Sequence, residues 1–556
     1  MDNVRFFYDL VLLLGYAIAA WTITRRYLQF YQQDEYDSRR FLKWWLGHLA
    51  IEKRTTLILV LLMAASAMPA AQQLESLLFA GVGAFLIAVA GLSNQGGAAK
   101  KPLVMTARAR RIFLAAMVLQ ILAAFGLGRG LVFITPQEAF LPGMLLALLA
   151  VNVLNPLSLC AANGLLWPSE AYVQRRFRKE AEEKLATLQP FIIGITGSYG
   201  KTSTKHILNH ILNAHAPTLA TPGSVNTVMG NTRVIRERLT REHDYLIAEM
   251  GAYAIGSIQR LCDLTPPNAA IVTAVGMAHY ERFKSVEAVA QAKSELPQNV
   301  PPDGFAVLNG DNPYCRNMAN GIEAEPLFYG RDAEAGQLHC RLINEELTPE
   351  GIRFQVIYEG ETYTIQTPVF GSHMAMNAAG AFLTACRLGV PPLTAVAALR
   401  TVPQVDHRLV VSQDAQGVYI IDDAYNANPT GFRSALDVLE VLPVKRRIVV
   451  TPGMVELGAR EDEEYRKIAP RIAEVCDLVC LVAAHRLGAM IEGLQAQNFP
   501  PEKLKTFHRF EEANQFLRET LQEGDAVLYE NDLPDLYEEK HAFRLFPTAK
   551  GGHNLT

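Results

Sequence analysis

At residues 191–203 a short apolar run gives way to glycines, a lysine and hydroxyls: F-I-I-G-I-T-G-S-Y-G-K-T-S. Polyphosphate binding calls for this order. Gly194, Gly197 and Gly200 let the backbone turn tightly, so that successive N–H groups and a helix N-terminus face the phosphates. Lys201 then reaches the β- and γ-phosphates, and Thr202 and Ser203 open the helix, with Thr202 available for Mg²⁺. The strict Walker spacing would need glycine at Ile195. His206 and His210 follow on one face of the same helix, but no third ligand accompanies them, and one turn of a helix explains them better than a metal does. Two later apolar strands carry polar groups where they end. D-Y-L-I-A-E-M-G-A ends on Glu249 and A-A-I-V-T-A-V-G-M-A-H-Y-E-R-F leads to His279, both at the carboxyl ends of parallel strands, where ligands gather in such sheets.

T-G-x-x-G-K-T is the form used by the Mur ligases and by folylpolyglutamate synthase, and the chain resembles the Mur ligase family in further stretches, in order, over most of residues 191–547. The resemblance implies that Glu249 and His279 bind magnesium. It also implies that Lys293 in Q-A-K-S-E-L is carbamylated and holds a second metal; by itself it reads as a surface lysine. L-N-G-D-N at 308–312 resembles the family's N-A-D-D. G-S-H-M-A-M-N-A-A-G resembles its G-x-H-N-x-x-N-A helix start, which gives Asn377 the adenine contact and puts Met374 where the other asparagine stands. By the same resemblance Arg408 in D-H-R-L faces the transferred phosphoryl group, and Asp423 in Y-I-I-D-D-A-Y-N-A-N-P faces the ribose or phosphates; E-L-G follows at 456–458. Asp-Asp-x-Tyr-Asn-Ala-Asn points to the D-alanyl-D-alanine-adding branch. The implied cofactors are ATP and Mg²⁺, and the implied catalytic set is Lys201, His279, Lys293 and Arg408.

These residues need a scaffold, and the pattern predicts an α/β one. A multi-span α-helical membrane domain occupies 1–167, a linker helix 168–190, a P-loop Mur-ligase central domain 191–401 and a C-terminal Rossmann-like domain 402–556. In the last, strands near 447–451, 478–482 and 526–529 alternate with helical stretches. Half of the 556 residues are apolar, and the excess is concentrated in the first third. Five runs, at 6–24, 56–71, 76–93, 112–128 and 140–166, each approach the ~20 residues that cross ~30 Å of hydrocarbon; the second and third are also compatible with one re-entrant hairpin.

The loop after the first run holds Arg25, Arg26, Arg39, Arg40, Lys43, Lys53 and Arg54, and the loop after the third holds Lys100, Lys101, Arg108, Arg110 and Arg111. The positive-inside bias therefore predicts a multi-pass protein of the inner (cytoplasmic) membrane, N-terminus outside and catalytic domains in the cytoplasm, where ATP is. Asp9 lies near the end of the first run, within reach of the headgroups. The charged stretch before Gln189 reads as a helix on the inner leaflet, closed by Pro190. Basic residues cluster beside apolar runs and not in a stripe with aromatics, which excludes a nucleic-acid partner. Seven cysteines without a C-x-x-C pair fit a reducing compartment, with Cys476 and Cys480 as core residues.

The functional expectation is an ATP-dependent, ADP-forming amide-bond ligase in envelope synthesis. Its partners are the lipid bilayer, an envelope-precursor or polymer acid, and an amino-acid or dipeptide donor. Mur ligases begin with a soluble domain that grips the uridine diphosphate of the precursor, whereas here membrane helices precede the phosphate loop. Where the D-alanyl-D-alanine-adding enzymes carry K-G-S-R, this chain reads Y-E-N-D, with Glu530 and Asp532 in place of basic residues. Acidic groups there suit an amine better than a carboxylate, so the expected acceptor is lipid-linked or polymeric. The alternative is a conventional UDP-N-acetylmuramoyl-tripeptide--D-alanyl-D-alanine ligase. A second alternative, from another class, is a non-catalytic ATP-binding scaffold or transporter component. A mechanical P-loop ATPase would explain neither D-D-A-Y-N-A-N-P nor the C-terminal domain.

Overall fold

A computed structural model of the protein describes residues 2–33, 36–66, 68, 76–92, 103–134, 140–276, 283–332, 337–404, 409–423, 429–454 and 460–531. The chain divides into two compact units, Met1–Val173 and Gln174–Asp532.

The first unit is helical, with helices Asp2–Gln33, Ser38–His48, Lys53–Ser66, Ser76–Leu92, Ala107–Ile134 and Phe140–Val153, and the start of Asn155–Leu188. Small residues let two of them touch. A Cβ on Gly15 would come within 2.7 Å of Ala84 Cβ, and one on Gly91 within 2.5 Å of Ala19 Cβ, so the first helix and Ser76–Leu92 pack nearly backbone to backbone. Inside the bundle lies a polar network. Gln120 Nε2 donates to Thr24 Oγ1 at 2.9 Å and to Ser158 Oγ at 2.8 Å, while Asn155 Nδ2 donates to Gln120 Oε1 at 2.9 Å. The first helix buries Leu12, Tyr16, Ala19 and Ile23 in the bundle and exposes a second apolar stripe, Leu10, Leu14, Ile18 and Trp21, at helical spacing. The two basic loops meet at one end. Gln32 Nε2 donates to Val104 O at 2.8 Å, and the Arg108 guanidinium sits 4.4 Å from the centre of the Tyr36 ring.

Among the described residues, two helical stretches, Phe6–Gln33 and Ala107–Leu131, are long and apolar enough to cross a membrane, and a third crossing exists if a bent pair counts as one. These stretches contain the first and fourth of the five expected runs. The second run contains the described helix Lys53–Ser66, 14 residues. The third is 17 residues, and the fifth is broken into Leu141–Val153 and Asn155–Leu188 at 68°. The charged stretch is no separate element. It is the second half of Asn155–Leu188, which runs through Pro168, and its last turns bury Ala181 and Leu185 against Ile192, Ile235, Leu239 and Leu246. That apolar seam, with Glu180 bridged to Arg236 at 2.8 Å, joins this stretch to the rest of its own unit.

The second unit is built on two sheets. The first contains β1 (Phe191–Thr196), β2 (Thr218–Ala220), β3 (Tyr245–Glu249), β4 (Ala269–Val272), β5 (Phe305–Asn309), β6 (Glu325–Gly330), β7 (Cys340–Thr348), β8 (Gly351–Tyr358) and β9 (Glu361–Thr367). Their order is β2-β3-β1-β4-β5-β6-β7-β8-β9, parallel as far as β7 and then antiparallel. The central strands are buried on both faces, which is why they read as unbroken apolar runs. The chain leaves β1 toward β3 on one side and returns to β4 on the other, so the carboxyl ends of β1, β3 and β4 form the crevice of a doubly wound sheet.

The second sheet holds β10 (Val410–Gln413), β11 (Tyr419–Asp423), β12 (Arg446–Thr451), β13 (Leu478–Val482), β14 (Leu504–Phe507) and β15 (Asp525–Glu530), in the order β10-β11-β15-β12-β13-β14. Only β10 runs antiparallel to its neighbour. Helices Pro429–Val441, Glu461–Val475 and Gly488–Ala496 cover one face and Phe510–Thr520 the other.

Candidate active site

The phosphate loop connects β1 to the helix Lys201–Asn213. Gly200 caps that helix at φ 81, a left-handed conformation suited to glycine, and a Cβ there would come within 2.4 Å of Asn377 Oδ1. A Cβ on Gly197 would collide with Thr273 Oγ1, which donates to Tyr199 O. The loop is pinned to the end of β4 as well: Ser198 N donates to Ala274 O at 2.7 Å, and Gly276 N to Ser198 Oγ at 2.9 Å. Lys201 folds over the loop, its Nζ 2.6 Å from Gly197 O. Burial pushes the Tyr199 hydroxyl up to about 12.

Glu249, at the end of β3, faces the start of this helix and is buried. Its Oε2 accepts from Thr202 Oγ1 at 3.1 Å and from Lys205 Nζ at 2.7 Å, and its Oε1 accepts from Asn226 Nδ2 at 3.2 Å. The structure thus brings together Thr202 and Glu249, two of the four expected metal ligands. Two adjacent oxygens at a helix N-terminus fit Mg²⁺, which takes one or two protein ligands and completes its shell with phosphates and water.

Lys205 escaped the sequence reading. Its one signal was a lysine one helical turn beyond Lys201, next to the buried Ser203 and Thr204. Asn226 gave no signal, because it lies in an irregular segment 23 residues from Glu249.

Lys293 is no surface lysine. It lies on the helix Val286–Gln298 and is 3 % exposed. Burial first, then the charge of Lys201, holds its amine well below the usual lysine range. Ser203 is buried in the first turn of the loop helix. Asn377 is buried on the helix Ser372–Arg387, against Gly200, with its Nδ2 3.7 Å from Met374 Sδ. In L-N-G-D-N, Asn309 Nδ2 donates to Thr273 O at 2.8 Å and Asn312 Nδ2 to Val275 O at 2.9 Å, so this motif braces the end of β4. His206 and His210 bond Pro403 O and Thr401 Oγ1 at 3.2 and 3.1 Å, tying the helix to the segment that leads out of the first sheet. Asp423 ends β11, and its Oδ1 accepts from Leu409 N at 3.1 Å. His279, Arg408, residues 424–428 and E-L-G at 456–458 lie outside the described residues.

A phosphate loop and a buried carboxylate on one sheet, followed by a second doubly wound sheet, define a two-domain P-loop α/β protein. Residues 195–385 match the family model described as Mur ligase middle domain, and residues 407–529 the one described as Mur ligase, glutamate ligase domain. The matches together cover more than half of the chain, which belongs to the Mur ligase family. The UDP-N-acetylmuramoyl-tripeptide--D-alanyl-D-alanine ligase of Mycobacterium tuberculosis is 36% identical over 316 residues, covering 54% of this chain and 61% of that protein. The chain therefore spans about three fifths of the length of the curated relatives it matches first. A crystal structure of MurF from Acinetobacter baumannii is similar at 28% identity and TM-score 0.58, covering 67% of this chain and 80% of that one. The MurF ligase of Thermotoga maritima, solved in complex with ADP, is similar at 26% identity and TM-score 0.57, covering 66% and 83%.

Proposed function

We propose that the protein is an ATP-dependent, ADP-forming amide-bond ligase of cell-wall precursor synthesis, of the D-alanyl-D-alanine-adding type. The observation that carries this reading is the pairing of Thr202 with Glu249 beside Lys201, on a chain whose two catalytic domains both match the family. The helix N-terminus, the loop N–H groups and the Lys201 ammonium would hold the phosphates and screen their charge as the acceptor carboxylate attacks the γ-phosphorus. ADP leaves and an acyl phosphate remains. The amine then attacks the acyl carbon: a C–N bond forms, the C–O bond to phosphate breaks, and the amine gives up a proton. Thr202 and Glu249 would hold Mg²⁺, which supplies neutralising charge at the phosphates when bound. Lys293, with its free amine favoured, suits carbamylation, because only the uncharged amine combines with CO₂.

Asn377, packed against Gly200, takes the adenine contact that the family pattern gives it. His279 and Arg408 take the magnesium and phosphoryl roles that the family pattern gives them. Asp423, at the end of β11, takes the ribose or phosphate contact that the family pattern gives it.

The first unit is read as a membrane anchor with the catalytic unit on the cytoplasmic side. Support comes from large apolar side chains exposed on the outside of the helices, and from two basic loops gathered at one end. A second reading, in which a lipid-linked or polymeric acid replaces the soluble UDP-linked tripeptide, is favoured by the acidic Glu530. ADP release tests the ligase proposal: it should need both an acid and an amine. Release that neither substrate stimulates would contradict it.

A further inference from the structure

Tyr199 and Gly200 of the phosphate loop are joined by a second route, a ring of contacts that leaves the loop through the first sheet and returns to it. Thr273 Oγ1 donates to Tyr199 O, and Asn309 Nδ2 donates to Thr273 O at 2.8 Å. Asn309 Oδ1 accepts from Asp311 N at 3.0 Å, and the two carboxyl oxygens of Asp311 accept from Arg331 N at 2.8 and 3.1 Å. The return path is the helix Ser372–Arg387, on which Asn377 packs against Gly200.

One side chain closes the ring. Arg331 follows β6, and its Nη2 donates to Ser372 O at 2.8 Å and to Ser372 Oγ at 2.7 Å. Glu345, on β7, fixes the guanidinium from the other side: it accepts from Arg331 Nε and, at 3.0 Å, from Nη2, and its Oε2 also accepts from Ser372 Oγ at 2.7 Å. Two N–H groups on one carboxylate set the plane of the fork as well as its place. The helix start has need of an outside hold, because its cap is Gly371, at φ 92, which makes no side-chain cap bond. The far end of the same helix is tied to the other end of β6, where Arg387 meets Glu325 at 2.6 Å, about four turns from Ser372.

We infer that Arg331 is a positioning residue of the nucleotide site: through Ser372 it sets the helix start, and with it Asn377, against the phosphate loop. The inference rests on the ligase reading, which makes this crevice the nucleotide site. The Arg331 side chain is 36% exposed, and ion pairs so exposed add little to stability, so its removal should leave the fold intact. Misplacing a binding group by about 1 Å, by contrast, is felt directly in the site.

Calorimetric titration of the full chain in detergent tests this with two probes, ADP and pyrophosphate, each with Mg²⁺. Pyrophosphate engages the loop alone, whereas ADP also engages what the helix start presents. Arg331→Gln should bind ADP about tenfold more weakly, the order expected for losing one charge-assisted hydrogen bond, and pyrophosphate as the unaltered protein does. Arg387→Gln, which removes the ion pair at the far end of the same helix, should change neither. Ser372→Ala keeps the Arg331–Glu345 pair and loses one contact to it; it should weaken ADP in the same direction, and it stands in for Arg331→Gln if that variant does not fold. Undiminished ADP binding, equal weakening of ADP and pyrophosphate, or an equal loss in Arg387→Gln would overturn the positioning role. Absence of ADP binding by the unaltered protein would remove the nucleotide reading, and the positioning role with it.

Discussion

Lys205 Nζ lies 2.7 Å from Glu249 Oε2, in a pair whose side chains are 4% and 1% exposed. Thr202 Oγ1 reaches the same oxygen at 3.1 Å, so the carboxylate that would hold magnesium is fixed in place by a hydroxyl and an ammonium. Removing one member of such a pair strands the other charge, which costs about 3–5 kcal/mol. Lys205→Met should therefore lower stability by that amount in urea titration, with part of the loss recovered when Mg²⁺ and ADP are added. A midpoint equal to that of the unaltered protein would mean that the pair contributes nothing.

Lys201 is half-buried at the first turn of the loop helix, and its ammonium folds over the phosphate loop, 2.6 Å from Gly197 O. Lys201→Ala should keep its unfolding midpoint and lose at least about a hundredfold in turnover, the scale on which one electrostatic stabiliser acts. Amide formation at an undiminished rate in that variant would rule out the phosphate-loop mechanism.

A carbamate on Lys293 has its own signature. Lys293→Ala should lose activity that acetate or formate restores, and crystallographic density at Lys293 should show an added carboxyl group. A bare amine at that position in the active protein, with no rescue by short acids, would remove the carbamate.

Membrane topology is open to labelling at two exposed methionines. Met68 follows the helix Lys53–Ser66, and Met105 lies beside the second basic loop. With an impermeant thiol reagent on intact cells, Met68→Cys should react and Met105→Cys should not. The opposite pattern would place the basic loops outside.

The phosphate loop was legible because its information is local: glycines, lysine and hydroxyl stand together, and the flanking strand and helix follow from short-range pattern. The doubly wound character of the second sheet was readable for the same reason, since β12, β13 and β15 are apolar strands separated by helices. The grip on Glu249 was not, since Lys205 and Asn226 meet it across 44 and 23 residues. A lysine on a helix ordinarily marks a solvated face, and only the packing of that helix over β3 turns Lys205 inward. Hydropathy located the apolar runs of the first third but not the lengths of their helices: the described helix in the second run is Lys53–Ser66, 14 residues. The charged stretch misled differently. Its i,i+4 ion pairs suggest a free helix, while Ala181 and Leu185, spaced one turn apart, carry the packing.

Amide-bond formation of the D-alanyl-D-alanine-adding type is decided by mass spectrometry of the products from purified protein in detergent with ATP, Mg²⁺, UDP-N-acetylmuramoyl tripeptide and D-alanyl-D-alanine. ADP should form together with a new species of the combined mass of tripeptide and dipeptide less one water, absent without either substrate. ATP hydrolysis with no such product, appearing only when a lipid extract is supplied, would contradict the soluble-precursor assignment; ADP release that no acid and amine together can stimulate would contradict the ligase itself.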